Sequence, residues 1–482
     1  MANLTTFSAA LQEFYEGTIE MQLAEEAHAL ELMEKMSVSW AGSQAVVACH
    51  IARNTGVGAI SDGGNLPAAG SQGLVRLVAT AGRLAGRFQL SGPLQASADK
   101  GGKNAFAAAV DVEMKGLSEN VRNIANRLCF WGGRCKGWIN EHKAHAATTS
   151  GAGTIAAPAS SDGIWEFSGD YQTFTDAGVA NNTALTAGAS TTWVQVGLFR
   201  NDTYDDHPAT LTAGGTAAGT AIFVSAVDTS TQRIKLSVVT DDAGGLGAGS
   251  TLDTDTGIAK GEGFTLYLKL TQFVLVLPSL DAGLNFGQVV SFANEPIGIC
   301  GNLGDNTHFL VVRDDTPAVT AADNLQSQIL TANAAGDNSR VALALSMFEQ
   351  VNDSITEKSD LDPDIIIMHP TMRQNYVALL QGVLQVDNRE GKAKADGGFG
   401  GGLSYGSTPI VTSRHMGRGA LLFMLKNKWK FLELKKPGFR DQGGGVLQPL
   451  EGSDNVQGVH LWYYEQMCIR PNANAVLCGL NI

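Results

Sequence analysis

Long apolar runs are missing from this sequence. Its most apolar stretches, such as residues 273–277, are strand-sized and fall far short of the roughly 20 residues that a membrane-crossing helix needs. Cysteine is sparse and unpaired in pattern: Cys49, Cys129, Cys135, Cys300, Cys468 and Cys478 are scattered with no C-x-x-C spacing. A reducing cytoplasm is therefore the expected setting. The first residues lack the charged-then-apolar layout of a signal peptide, so no secretory leader is expected. Positive charge is in deficit, with 34 Lys and Arg against 47 Asp and Glu, a net charge of −13 and a pI near 5.2. Such a balance argues against a chain whose main task is to neutralise phosphates over a broad basic surface.

The motifs of chemistry are missing as well. No G-x-x-x-x-G-K-[ST] loop, no G-x-G-x-x-G after a strand and no G-x-S-x-G elbow occurs, so neither phosphate cradling nor an exposed serine nucleophile has its usual scaffold. His142 and His145 are three apart and would share a helix face, but no H-E-x-x-H motif or cysteine pair accompanies them, and no metal is expected there. His369 stands between an apolar strand and a helix, where a capping role suits it. Cys129 and Cys135 flank Trp131 and read as small buried hydrophobes. The pairs Asp205–Asp206, Asp241–Asp242 and Asp314–Asp315 lie in turn-like contexts, where aspartate serves backbone hydrogen bonding. No catalytic residue, metal or cofactor is expected.

What is present is architecture. Of the 482 residues 44% are apolar and 17% charged, with 57 glycines beside 13 prolines, a globular composition rich in turns and long enough for roughly two to four domains. Residues 5–36 carry an apolar helical stripe through Phe7, Leu11, Phe14, Ile19 and Leu23, and an acidic face of Glu13, Glu16, Glu20, Glu25, Glu26, Glu31 and Glu34. That face would gain from a basic partner. Residues 53–73 are dense in Gly, Ser, Asn and Ala and read as a long extended loop. From 63 to 98 one acidic residue is not to be found, while Arg76, Arg83 and Arg87 are, and residues 83–90 alternate as a half-buried strand. A two-stranded arm there would need something else to pack on, a neighbouring subunit being the natural candidate.

Residues 100–130 give the clearest helix signal, with Phe106, Val110, Met114, Leu117, Val121, Ile124 and Leu128 spaced by three or four and Gly132–Gly133 as a stop. Between about 150 and 290 short strands alternate with turn-rich Thr, Ala and Gly. From 337 the pattern becomes helix, strand, helix: Val341, Leu345, Phe348, Val351 and Ile355 line the first, residues 365–368 form an apolar strand, and Pro370–Thr371 opens the second. A strand near 409–412 follows a glycine-rich loop, and the chain closes on alternating and apolar strands.

Three stretches carry a family resemblance. RFQLSGPLQAS at 87–97 running into the helix at 105–131, NEPIGICGNLGD at 294–305, and DPDIIIMHPTMRQNYVALL at 362–380 together resemble the HK97-fold major capsid proteins of tailed bacteriophages. The resemblance implies an α+β fold with an N-terminal helical arm (1–50), an extended two-stranded loop (51–98), a spine helix with the start of a peripheral domain (99–150), a β-rich insertion (151–290), an axial and peripheral core (291–412) and closing strands (413–482). It implies a structural subunit, not an enzyme, that forms pentamers and hexamers in an icosahedral shell around double-stranded DNA. The expected location is the virion, after assembly in the host cytoplasm. Its partners would be copies of itself and separate scaffolding, portal and decoration proteins, with no membrane. Arg76, Arg83 and Arg87 on one copy would meet Glu13, Glu16, Glu20, Glu31 and Glu34 on another. An encapsulin-like compartment shares this fold; a soluble α/β enzyme with a β insertion, and a tail-tube subunit, are the alternatives outside it.

Overall fold

The computed structural model describes residues 33–36, 40–42, 44–54, 56–62, 64–93, 103–144, 163–179, 181, 192–201, 206–207, 220–230, 232–240, 264–268, 274–276, 285–287, 294–305, 307–313, 325–332, 340–381, 403–441, 446–450 and 452–481.

A short strand β1 (Glu34–Met36) comes first. Strands β2 (Gln44–Ala52) and β3 (Gly73–Thr80) pair as an antiparallel hairpin. After Ala81 the chain continues as β4 (Gly82–Leu90) and then as the long helix α1 (Lys103–Trp131), about 43 Å at the usual 1.5 Å rise. The β-rich region follows with β5 (Cys135–Ala144), β6 (Gly163–Gly169), helix α2 (Tyr171–Asp176), β7 (Thr192–Arg200), β8 (Thr220–Asp228), β9 (Arg233–Thr240) and β10 (Phe264–Leu268). Helix α3 (Ile299–Gly304), β11 (Gln328–Thr331), α4 (Leu345–Ser359), β12 (Ile365–Met368), α5 (Pro370–Gln381), β13 (Thr408–Thr412), β14 (Leu421–Met424), β15 (Trp429–Phe439), β16 (Val456–Cys468) and β17 (Ala475–Cys478) complete the labelled elements. The fold class is α+β, as expected.

These elements form three bodies around α1. The first is a sheet of β1, β15, β16 and the short strand Leu447–Pro449, with β4 on the other side of β16. Helix α1 lies on one face of this sheet. The approach is close, since a Cβ on Gly86 of β4 would sit 2.8 Å from Leu117; glycine is needed there for helix and strand to meet. Gly132 and Gly133 end the helix as their sequence promises, Gly132 N–H donating to Leu128 O at 2.8 Å and Gly133 holding φ at +75°.

The second body is a sheet in the order β11, β17, β14, β12, β13, with Ser404–Tyr405 at its edge. Strands β12, β14 and β17 are buried at every position, because both faces are covered. On one face Phe348, Val351 and Ile355 of α4 and Met372 and Tyr376 of α5 pack on Ile366, Phe423 and Leu477. On the other, Ile367, Leu422 and Val476 meet the core that holds Trp131, Trp138 and Trp429.

The third body is a nine-stranded sheet among the described residues, running β8, β9, β6, β5, β10, β7 and then Val274–Val276 and Asn285–Gly287, with the short strand Asp206–His207 also paired to β7. Its own apolar core contains Phe167, Phe174, Val196, Val224, Leu236 and Leu266. Within the sheet Glu166 pairs with Arg233 at 3.1 Å, and it joins the sheet to the second body through Arg340.

Several expectations change. The predicted helix at 5–36 fails at its end: Glu34–Met36 is a strand in parallel register with β15, Glu34 opposite Lys430, and Met33 is buried among Trp429 and Phe431. Tertiary burial outweighs local propensity here; residues 1–32 lie outside the described residues. The arm is shorter and begins earlier than 51–98, since β4 leaves the hairpin and pairs with β16 from Gly82↔Tyr464 to Leu90↔Val456. The base of the arm also needs no neighbour. Ala45, Val47, Cys49, Ile51, Leu77 and Ala79 pack on Phe309, Leu432 and Met467 of the same chain. Ile124, counted in the buried stripe of α1, is 42% exposed; the packed stripe runs through Val121, Ala125 and Leu128 instead. His142 is in strand β5, so it shares no helix face with His145, which lies outside the described residues.

Candidate assembly surfaces

Groups capable of chemistry are mostly sealed into the core with structural partners. His308 is buried; its Nδ1 accepts from Arg313 at 2.7 Å and its Nε2 donates to Cys468 O at 2.8 Å. Burial and the adjoining Arg313 guanidinium hold this imidazole well below its ordinary pKa, so it is neutral. Arg313 donates in turn to Leu303 O and Asn302 O. His369 caps α5, its Nδ1 accepting from Thr371 N–H at 3.2 Å, and burial with nearby Arg418 lowers its pKa to about 4. This is the capping role its position predicted. Glu465 accepts N–H bonds from Ile297 at 2.7 Å and Gln466 at 3.0 Å, and burial pushes its carboxyl well up. All six cysteines are buried and free, and burial raises each thiol, which suppresses the reactive thiolate.

A cavity of about 370 Å³ opens where β3 passes into β4, lined by Arg83, Arg134, Glu295, Asp305, Leu310 and Glu465 among others. Three of its charged groups, Arg134, Asp305 and Glu295, are already paired. Arg134 holds Asp305 through two guanidinium nitrogens, and Lys136 holds Glu295 at 3.0 Å. No group of three or more His, Cys, Asp or Glu among the described residues could hold a metal ion.

The outer surface is less settled. On the hairpin, β2 alternates exposed and buried positions along its length, so one face seals onto the body and the other bears Val46, Ala48, His50, Leu74 and Arg76. Val46↔Val78 and Ala48↔Arg76 are cross-strand neighbours on that outer face. Beyond the paired strands the tip at 53–72 carries Val57, Ile60 and Leu66 at 86%, 54% and 81% exposure. Hydrophobic side chains that bare, gathered on one projection, mark a surface intended for contact.

Arg83 and Arg87 are exposed on the face of β4 turned away from α1. Their cross-strand neighbours on β16 are Tyr463 and Val459, and Lys435 of β15, also opposite Tyr463, places its Nζ 5.7 Å from that ring. The structure therefore brings Arg83, Arg87 and Lys435 onto one sheet face and leaves Arg76 apart, on the hairpin. Glu13, Glu16, Glu20 and Glu31 lie outside the described residues, and Glu34 belongs to β1. Sequence reading missed Lys435 and Tyr463, which are distant in the chain; the alternation of residues 456–464 was the available signal. It also missed the turn of Phe309 and Leu310, both at positive φ (46° and 71°). Leu310 is exposed at its apex beside Val312, an arrangement that costs backbone strain and that no residue type announced.

The class of molecule defined by this geometry is an α+β protein with a long helical spine, a hairpin arm and no assembled catalytic or metal centre among its described residues. No protein-family model and no curated protein sequence matches the chain. Among solved structures it is similar to the cyanophage A-1(L) capsid asymmetric unit, at 8% identity and a TM-score of 0.47, over 97% of each chain. It is similar also to the capsid of the native GTA particle computed with C5 symmetry, at 8% identity and a TM-score of 0.42, over 99% of each chain. The holo-SrpI encapsulin complex from Synechococcus elongatus PCC 7942 is similar over 38% of this chain and 57% of that one, at 13% identity and a TM-score of 0.23. The full-length likenesses are to capsid structures. At these identities and scores they carry no argument about what the chain does, which rests on its own surfaces.

Proposed function

We propose that this chain is a shell-building subunit, a major capsid protein of HK97 type, whose copies form pentamers and hexamers that close around double-stranded DNA in a phage particle. The observation that carries the reading is the hairpin arm: its base is sealed onto the chain's own body, while its tip holds Val57, Ile60 and Leu66 out in solvent. An adjacent copy gives those side chains a place to be buried. The contact is head-to-tail, since the tip on one copy meets a different surface on the next, and such contacts close into rings when the rotation per subunit permits. Arg76 on the hairpin and Arg83 and Arg87 on the sheet face extend the same contact with charge.

Spine and sheets supply stiffness, and function is geometric rather than catalytic. A chain of net charge −13 encloses DNA without gripping it, since each phosphate contact would have to be broken on release. Scaffolding, portal and decoration proteins are separate partners in this reading, and assembly takes place in the host cytoplasm.

Electron microscopy of the purified, recombinantly expressed chain tests it, with size-exclusion chromatography alongside. Shells or capsomer rings are the expected result. A uniform monomer or dimer that persists when scaffold is supplied sinks the reading, and closed shells that load only protein cargo convert it to an encapsulin-like compartment.

A further inference from the structure

Thr307–His308 and Val311–Val312 pair antiparallel, and the two residues that join them, Phe309 and Leu310, both hold positive φ, at 46° and 71°. Two-residue turns of that kind favour Asn-Gly or Asp-Gly, since larger side chains are strained there. Phe309 is compensated within its own chain: it is buried with Leu77 and Leu432, and its carbonyl accepts from Val78 N–H at 3.2 Å. Leu310 is not. It stands 73% exposed, with Val312 at 55%, and it lines the cavity of about 370 Å³ together with Val78, Thr80 and Arg83. Strain that holds an aliphatic side chain out in water marks a surface kept for a contact.

A partner for that surface should bring apolar side chains and negative charge, because Arg83 is exposed and has no carboxylate partner among the described residues. The arm tip brings both. Val57, Ile60 and Leu66 are bare, and the exposed Asp62 is the only charged residue of 54–72. The turn of its own chain is out of the tip's reach. Val78, which holds Phe309, is about 17 Å of strand away from Gly73, and beyond Gly73 the tip runs onward as two segments side by side, Gly56 against Gly70 and Gly58 against Pro67. The tip that meets the turn must come from another copy.

We infer that the Phe309–Leu310 turn receives the arm tip of a neighbouring copy, with Leu66 against Leu310 and Val312 and with Asp62 facing Arg83. The inference rests on the shell reading and names its receiving surface. Each copy offers the tip at one end of its hairpin and the turn beside the base at the other, so a single contact repeats head-to-tail around a ring.

Disulfide trapping tests it. Full chains carrying only Leu66→Cys are mixed with chains carrying only Leu310→Cys, assembled, oxidised and run on a non-reducing gel. The native cysteines are buried and free, and a disulfide needs Cα atoms within about 7 Å, so a two-chain band reports tip and turn on different copies. That band should exceed by about tenfold the one given by Leu66→Cys with Ile124→Cys, an exposed position on α1. Adding Asp62→Arg to the Leu66→Cys chain should lower the band about fivefold, and adding Arg83→Asp to the Leu310→Cys chain should then restore it, since repulsion gives way to attraction. Rings that form without the band leave the shell reading standing and overturn this inference. So does a stronger band with Ile124→Cys or between two Leu66→Cys chains, or a failure of Arg83→Asp to restore it. An unaltered chain that forms no rings even with scaffold supplied overturns the shell reading, and this inference with it.

Discussion

The base and the tip of the hairpin are one continuous stretch of chain with opposite fates. At the base, alternation of apolar and polar residues gives a face that closes on Phe309, Leu432 and Met467; at the tip, a run of glycine and small residues leaves three aliphatic side chains with nothing of their own to cover them. The base contributes to folding. The tip contributes to nothing inside the chain, so any energy it supplies must come from outside. The difference shows that an exposed segment's worth is read from the pattern just before it: where alternation holds, the chain is its own partner.

That contrast can be broken at its base first. Leu77→Ala, at a fully buried position, should cost about 2–5 kcal/mol of stability in urea denaturation; a loss under about 0.5 kcal/mol would mean that the base is not packed on the body. Acid should act next, and on the body alone. Burial with adjoining arginines lowers His308 well below its ordinary value and His369 and His415 to about 4. A depressed histidine binds fewer protons folded than unfolded, so its contribution is full above the unfolded value near 6.5 and is lost as pH falls. The urea midpoint should therefore fall between about pH 6.5 and 4, and replacing His369 and His415 by asparagine should flatten that slope. The smallest effect on stability belongs to the tip. Replacing Val57, Ile60 and Leu66 together by serine should shift unfolding by no more than about 0.5 kcal/mol yet abolish rings and shells on micrographs; intact particles would separate the tip from assembly.

Much of the fold was legible in the sequence, for physical reasons that differ by element. The helix at 103–131 and the strands at 233–240 and 365–368 are dictated by local periodicity and by turn residues at their ends. The N-terminal strand was not legible, because E-K-M has no strand signal and takes that form only beside β15. Nor could the sequence show that residues 82–90 leave the arm for β16, since their alternation suits either partner. At the surface, the basic residues Arg83 and Arg87 were visible while Lys435 and Tyr463, brought beside them by a register some 350 residues away in the chain, were not. Ile124 is the instructive miss on α1: its spacing fits the stripe, but the helix turns enough for Ala125 to take the buried place.

The β-rich body leaves α1 along β5, and β10 pairs directly with that strand, Trp138 opposite Thr265, before the chain runs on into Val274–Val276 and Asn285–Gly287 of the same sheet. The stretch between these two strands is thus clasped where it starts and where it ends, like a pouch closed by a drawstring. Glu166 and Ser168 tie one side of it to Arg340 and Arg418, and a change in bulk made away from that side leaves those ties in place. The same pairing offers an engineer a place to graft a foreign domain, between two strands that already hold each other in register.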